Sequence, residues 1–272
     1  MTTAPPGPRT LAAAAVLALE TSDPAAKAEA VRYFVEAWRN GAIKLVGAAN
    51  PPARPARPAR PELRPPRDMP KRGRAGSQAG RIALLHALAH IELNAVDLAC
   101  DIIARFTGDD PPREFFDDWV AVAADEARHF SLLSTRLEFY GAAYGDLPAH
   151  DGLWEAATET AHDLPARLAV VPLVLEARGL DVTPPMIGNL RKAGDSDSAD
   201  VLEFIYRDEI THVAAGTRWF EFVCRARGRD PVPTYHELVR RHFGGALKPP
   251  FNKDARRRAG LTPEYYIPLA TN

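Results

Sequence analysis

Apolar residues recur at helical spacing along most of this chain, and four long stretches carry the pattern. Leu85, Leu88, Ala95, Ala99 and Ile102 share one face between Gln78 and Phe106, and Phe116, Trp119, Ala123, Phe130, Leu133 and Leu137 share one between Asp110 and Gly141. A weaker stripe of Leu168, Ala169, Pro172 and Leu173 lies between Asp151 and Gly179. Leu202, Ile205, Tyr206, Val213, Gly216 and Phe220 form a strong one between Asp195 and Gly228. A stripe with this period buries one side of a helix. The punctuation agrees. Ser77, Asp110-Pro111 and the acidic run Asp195–Asp200 open helices, and Gly108, Gly141, Gly179 and Gly228 close them. The chain reads as all-α, with a bundle of four helices of about thirty residues each.

Around the bundle the pattern is shorter. Residues 11–45 read as two helices, the second opened by Asp23-Pro24, and Tyr235 to Phe243 reads as one more before an irregular, proline-containing tail. Thr183-Pro184 reads as the start of a short extra helix between the third and fourth long ones. Between Pro51 and Arg74 the pattern stops. Eight prolines and seven arginines, with Pro-Ala-Arg three times in succession, exclude helix and favour an extended strap. The expected organisation is an N-terminal helical extension (1–50), the strap (51–77), the bundle (78–228) and a C-terminal helix with a covering tail (229–272).

Glutamates inside the apolar stripes break the pattern. Glu92, Glu126, Glu176 and Glu209 each fall on a face that should be buried. A buried carboxylate costs several kcal/mol unless it is paired or bound to a cation. The spacing supplies the cation. Glu92 is followed 34 residues later by the Glu of Asp-Glu-Ala-Arg-His (125–129), and Glu176 is followed 33 residues later by that of Asp-Glu-Ile-Thr-His (208–212). Glu and His three apart project from the same helix face, so one helix offers an oxygen and a nitrogen ligand side by side. Two such helices, each with a Glu from a neighbour, supply a carboxylate-bridged metal pair. Heights agree: Glu92 lies 14 residues before Phe106 and Glu126 lies 14 after Pro112. Both carboxylates then stand about 21 Å from the turn joining their helices.

The candidate metal ligands are therefore Glu92, Glu126, His129, Glu176, Glu209 and His212. Four carboxylates balance two divalent ions and leave two neutral imidazoles. An oxygen-rich set of this kind suits iron first, then manganese or a mixed pair, better than zinc. Asp125 and Asp208 are expected to accept the second ring N–H of the His in the opposite half. Tyr206, one turn before Glu209, is expected near the site. His86 and His90 lie about 120–160° round their helix from Glu92 and are expected to play other parts.

The 25% charged residues sum to a net charge of −1, which argues against a globally cationic nucleic-acid binder. The strap has no interleaved aromatics for base stacking, so salt bridges across the bundle are favoured over nucleic acid. Cys100 and Cys224 lie in helical pattern and suggest a reducing compartment, with the cytoplasm as the default. Leu11 to Leu19 runs straight into Glu20 and reads as an ordinary helix, and no apolar segment is expected to approach the length of a membrane span.

Together the two ligand motifs resemble the signature of the ferritin-like di-iron carboxylate superfamily. That superfamily includes ferritins, rubrerythrins, ribonucleotide reductase small subunits, acyl-carrier desaturases and the tRNA hydroxylase of the MiaE type. Ala-His-Ile-Glu-Leu (89–93), Leu-Glu-Ala-Arg-Gly-Leu-Asp (175–181) and Pro-Pro-Phe-Asn (249–252) resemble a bacterial ferritin-like family of unassigned function. The resemblance implies a ferritin-like bundle with Glu126 and Glu209 as bridging carboxylates. The expected activity is an O₂- or peroxide-dependent oxidase or hydroxylase with an electron donor and a small or tethered substrate. A ferroxidase and a metal-stabilised interaction module are the alternatives.

Overall fold

The computed structural model describes residues 8–69 and 76–271. Residues 1–7 of the N-terminal extension, 70–75 of the strap and Asn272 lie outside them. Among the described residues the architecture is all-α. Thr10 accepts a hydrogen bond from Ala13 N to open α1 (Leu11–Glu20), and Asp23 accepts one from Ala26 N to open α2 (Pro24–Arg39). Both are packed into the core, α1 against α3 (Gln78–Arg105) and α2 against α4 (Arg113–Phe139). Ser77 caps α3 through Gly80 N. Helices α3 and α4 are joined by a single 3-10 turn at Thr107–Asp109, with Asp110 left-handed at φ 49°, and they pack along their length. The α3 segment is long and apolar enough to cross a membrane, contrary to the sequence expectation. In this fold it is the central core helix, and its buried face carries Glu92, Asp97 and Asp101.

The third long stretch departs most from the expected single helix. It is divided into α5 (Gly152–Glu159), α6 (Leu164–Val170), a π-helical segment Val171–Glu176, and α7 (Ala177–Lys192). Asp163 accepts from Ala166 N and Pro165 sits in the first turn, so a fresh helix starts where continuity was expected. Gly179 does not end the run, and no new helix begins at Thr183. Pro184 and Pro185 lie inside α7. Pro184 removes the N–H that would pair with the Leu180 carbonyl, and Asn252 Nδ2 donates to that carbonyl instead at 3.2 Å.

Pro172 likewise has no N–H to give, and the ladder around it widens to a π turn. Tyr235 Oη donates to the Leu173 carbonyl of this segment at 3.2 Å. The segment presses on α8 (Ser196–Ala226) at Gly216, where an added Cβ would lie 2.5 Å from Pro172 Cβ and 2.7 Å from Cγ. The pyrrolidine ring cannot swing aside. Gly216→Ala is expected to destabilise the protein by about 1–3 kcal/mol, read as a lowered melting midpoint. Wild-type stability in this variant would show that the two helices do not approach so closely.

Helix α9 (Pro231–His242) starts before the expected Tyr235, because Asp230 caps it through Val232 N and Pro231 takes the first position. The tail is more regular than expected, with α10 (Lys253–Arg258) capped by Asn252, and α11 (Pro263–Tyr266). The strap is pinned by its arginines and its own backbone. Arg57 reaches Asp97 at 2.9 Å and Asn94 at 2.8 Å, while Arg54 pairs with Asp151. Lys27 pairs with Asp97 and donates to Ala56 O at 3.2 Å; Trp154 and Arg105 donate to Ala53 O and Pro52 O at 3.1 Å each.

Candidate metal centre

Glu92 on α3, Glu126 and His129 on α4, and Glu209 on α8 converge in the bundle core, their candidate ligand atoms all within 4.8 Å of one another. His212, one turn after Glu209, adjoins the group with Nδ1 3.0 Å from Glu126 Oε1 and 3.7 Å from Glu209 Oε1. His129 presents its Nδ1 in the same manner, 3.1 Å from Glu92 Oε2, 3.5 Å from Glu126 Oε2 and 3.9 Å from Glu209 Oε1. Glu126 and Glu209 thus face both imidazoles. Glu176, the last residue of the π segment, lies close enough to Glu209 and Glu126 for their charges to act on it.

The outer ring nitrogens cross between the halves. His129 Nε2 meets Asp208 Oδ2 at 3.0 Å, and His212 Nε2 meets Asp125 Oδ2 at 3.2 Å. Each histidine is held by the aspartate beside the other half's Glu-x-x-His, which turns both Nδ1 atoms toward the carboxylates. Arg128 closes the ring by donating to Asp125 at 2.7 Å and to Asp208 at 2.9 Å. Sequence reasoning overlooked Arg128. Its position three residues after Asp125 on one helix face was the available signal.

A proton donor does not satisfy these groups. Glu126 Oε1 and Oε2, Glu176 Oε2 and His212 Nδ1 are buried without a hydrogen-bond partner among the described residues. Orphaned lone pairs directed at one another are costly in a core and are what a cation relieves. The donor set of carboxylate oxygens and imidazole nitrogens fits hard to borderline metal ions.

The model of the family described as a protein of unknown function (DUF455) matches residues 20–267. The chain belongs to the DUF455 family. An uncharacterised protein of Haemophilus influenzae is 43% identical over 203 residues, covering 72% of this chain and 70% of the relative. No solved structure matches.

In this DUF455 chain Tyr206, His86 and His90 have hydrogen-bond partners outside the Glu–His cluster. The Tyr206 hydroxyl is engaged by Asn252 Nδ2 at 2.9 Å, which ties α8 to the tail. His86 Nε2 accepts from Gly145 N at 2.9 Å. His90 bonds Tyr144 Oη at 2.9 Å and the His150 carbonyl at 3.0 Å, and burial lowers its pKa to about 4. Both hold the loop after α4 to α3.

In the metal-free protein, burial and the charge of Glu126 hold the Glu92 carboxyl well above the usual range. Burial and the charges of Glu209 and Glu126 do the same to Glu176. Burial disfavours charge on the two imidazoles, but their carboxylate partners outweigh it. His129 is pushed up to about 12, and His212 is raised well above its ordinary value. Protons therefore stand where cations would. Groups with raised folded-state pKa values stabilise the metal-free fold at low pH, and that contribution is lost as pH rises through those values. Metal must displace the protons, so loading is expected to release them and apparent affinity to rise with pH below those raised values. A pH indicator in weakly buffered solution reads the release. Uptake with no proton release would contradict this arrangement.

Proposed function

We propose that this protein is a ferritin-like di-iron carboxylate oxidoreductase that uses O₂ to oxidise a small or tethered substrate, with an electron donor restoring the reduced state. The observation that carries the reading is Glu126, buried between two imidazoles with both oxygens unpartnered. Glu92, Glu126, Glu209 and His129 would hold one metal, and Glu126, Glu209, Glu176 and His212 the other. Iron is the first choice because the set is oxygen-rich, with manganese or a mixed pair next. Bound there, such a pair supplies reduction of O₂ coupled to oxidation of a substrate.

The chain's own residues hold and orient. Asp208 and Asp125 fix the two ring tautomers, and Arg128 neutralises those aspartates and keeps them from turning inward. Leu93, Val96, Ala123 and Val213 are buried on the same helices and exclude water. The π turn before Glu176 loosens one carboxylate's helix, which suits a ligand that shifts during turnover. Two buried free thiols accord with a cytoplasmic setting.

The test is stopped-flow mixing of reduced, iron-loaded protein with O₂, followed by particle sizing after repeated iron additions. The oxidoreductase reading expects oxidation faster than that of free ferrous iron, recycling by a reductant, and no growth in particle size. A protein-enclosed ferric core would mean iron storage instead. Tightly held metal with no oxygen reaction would mean a structural role.

A further inference from the structure

Beside the π segment lies a cavity of about 210 Å³. Leu173, Val174 and Phe251 give it an apolar wall, and Arg178, Lys248 and Arg256 give it a cationic one. Leu175 also lines it, and the next residue along the segment is Glu176.

One polar atom on a residue lining the cavity lacks a hydrogen-bond partner among the described residues. Arg256 is 2% exposed, and its Nε and Nη2 donate to Asp181 at 2.9 and 2.7 Å. Nη2 also reaches the Ala177 carbonyl at 3.2 Å, but Nη1 is buried with no hydrogen-bond partner among the described residues. The guanidinium lies 5.0 Å from the Phe251 ring centroid and 4.7 Å from that of Tyr266, contacts that pack its plane but provide no acceptor. Leaving a buried charged donor unmet is costly, so the site lacks an acceptor that a ligand would bring. Arg178 keeps its Nη1 on the Lys248 and Pro250 carbonyls at 2.7 and 3.3 Å. Lys248 is exposed and has no ion pair among the described residues. Three cations against Asp181 leave the lining with two positive charges in excess, taking 3 − 1. The size is also restrictive. A dry cavity of about 150 Å³ takes benzene, so this one suits an apolar body of about eight to ten non-hydrogen atoms.

We propose that the cavity binds a small amphipathic monoanion, an aliphatic or aromatic body ending in a carboxylate, with the carboxylate on Arg256 Nη1 and Lys248. That ligand is the substrate class of the metal centre, a step that rests on the oxidoreductase reading above. The position supports it, because the ligand's apolar body would lie against the segment that carries Glu176.

Calorimetric titration of the metal-loaded full chain tests this with hexanoate and benzoate, and with hexanamide and hexylamine as neutral and cationic controls. Arg256→Met would free buried Asp181 and confuse folding with binding. The informative variants are therefore at exposed positions: Ala246→Trp, which fills the cavity mouth, and Lys248→Met. Saturable carboxylate binding is expected, abolished by Ala246→Trp and weakened roughly twofold to fivefold by Lys248→Met. Hexanamide binding as tightly as hexanoate, or no saturation by either carboxylate, would overturn the assignment. Metal content of the same samples separates the two ideas. Two metals per chain without carboxylate binding would overturn the cavity assignment alone. Carboxylate binding in a chain that takes up no metal would overturn both the substrate role and the oxidoreductase reading.

Discussion

Glu126→Ala is expected to lose at least one metal per chain and most of the rise in melting temperature that metal brings. Its carboxylate is fully buried and is the acid that faces both His129 Nδ1 and His212 Nδ1 most closely in common, at 3.5 and 3.0 Å. Burial pushes its pKa up, but the two imidazoles beside it, of His129 and His212, hold it well below the usual range. It stays anionic and available. A ligand present at a thousand times its dissociation constant stabilises the fold by about 4 kcal/mol, or roughly 10 °C in a chain of this size. Scanning calorimetry with metal and with chelator should show that gap in the wild type and little of it in the variant. An unchanged gap would mean that Glu126 is not a ligand.

The second large effect concerns the frame around the site. Arg167 on α6 is 0% exposed, with Nη1 2.5 Å from Asp101 Oδ2, Nε 3.0 Å from Thr160 Oγ1 and Nη2 2.6 Å from Ala157 O. Asp101, on α3, also receives Arg105 at 2.6 Å. This buried group ties the helix bearing Glu92 to the broken helix that leads to Glu176. Asp101→Leu would leave a guanidinium buried without its anion, at a cost of about 3–5 kcal/mol. Replacing both members, Asp101→Leu with Arg167→Met, should restore most of that loss, because a matched apolar pair avoids the desolvation penalty. Chemical denaturation reads both. A double variant no more stable than the single one would show that the charges are not acting on each other.

The fold was legible wherever the relevant contacts are local. Caps at Ser77, Asp23 and Asp195 accept the hydrogen bonds their positions implied, and the bundle's helical periods emerge as buried faces. The equal heights of Glu92 and Glu126 could be calculated because one short turn joins α3 and α4. The same calculation was untidy for Glu176 and Glu209. Their separation depends on a π turn at Pro172 and on Asn252, 72 residues from Leu180, taking up a carbonyl that Pro184 leaves free. No local period records such a partner. The crossed Asp–His pairs were anticipated because the motif occurs in both halves. Arg128 was not, because its second contact, Asp208, lies 80 residues away. The partners of two buried aspartates were hidden for a similar reason. Asp97 and Asp101 sit within an otherwise apolar helix, and only tertiary packing brings Lys27, Arg57 and Arg167 to them.

The most direct test of the metal centre is metal analysis joined to Mössbauer spectroscopy on protein loaded anaerobically with isotopically enriched ferrous iron and then exposed to oxygen. Two irons per chain are expected, present as an exchange-coupled ferric pair after oxygen. One iron or none after loading, or two ferric ions with no coupling between them, would contradict a carboxylate-bridged pair at Glu126 and Glu209.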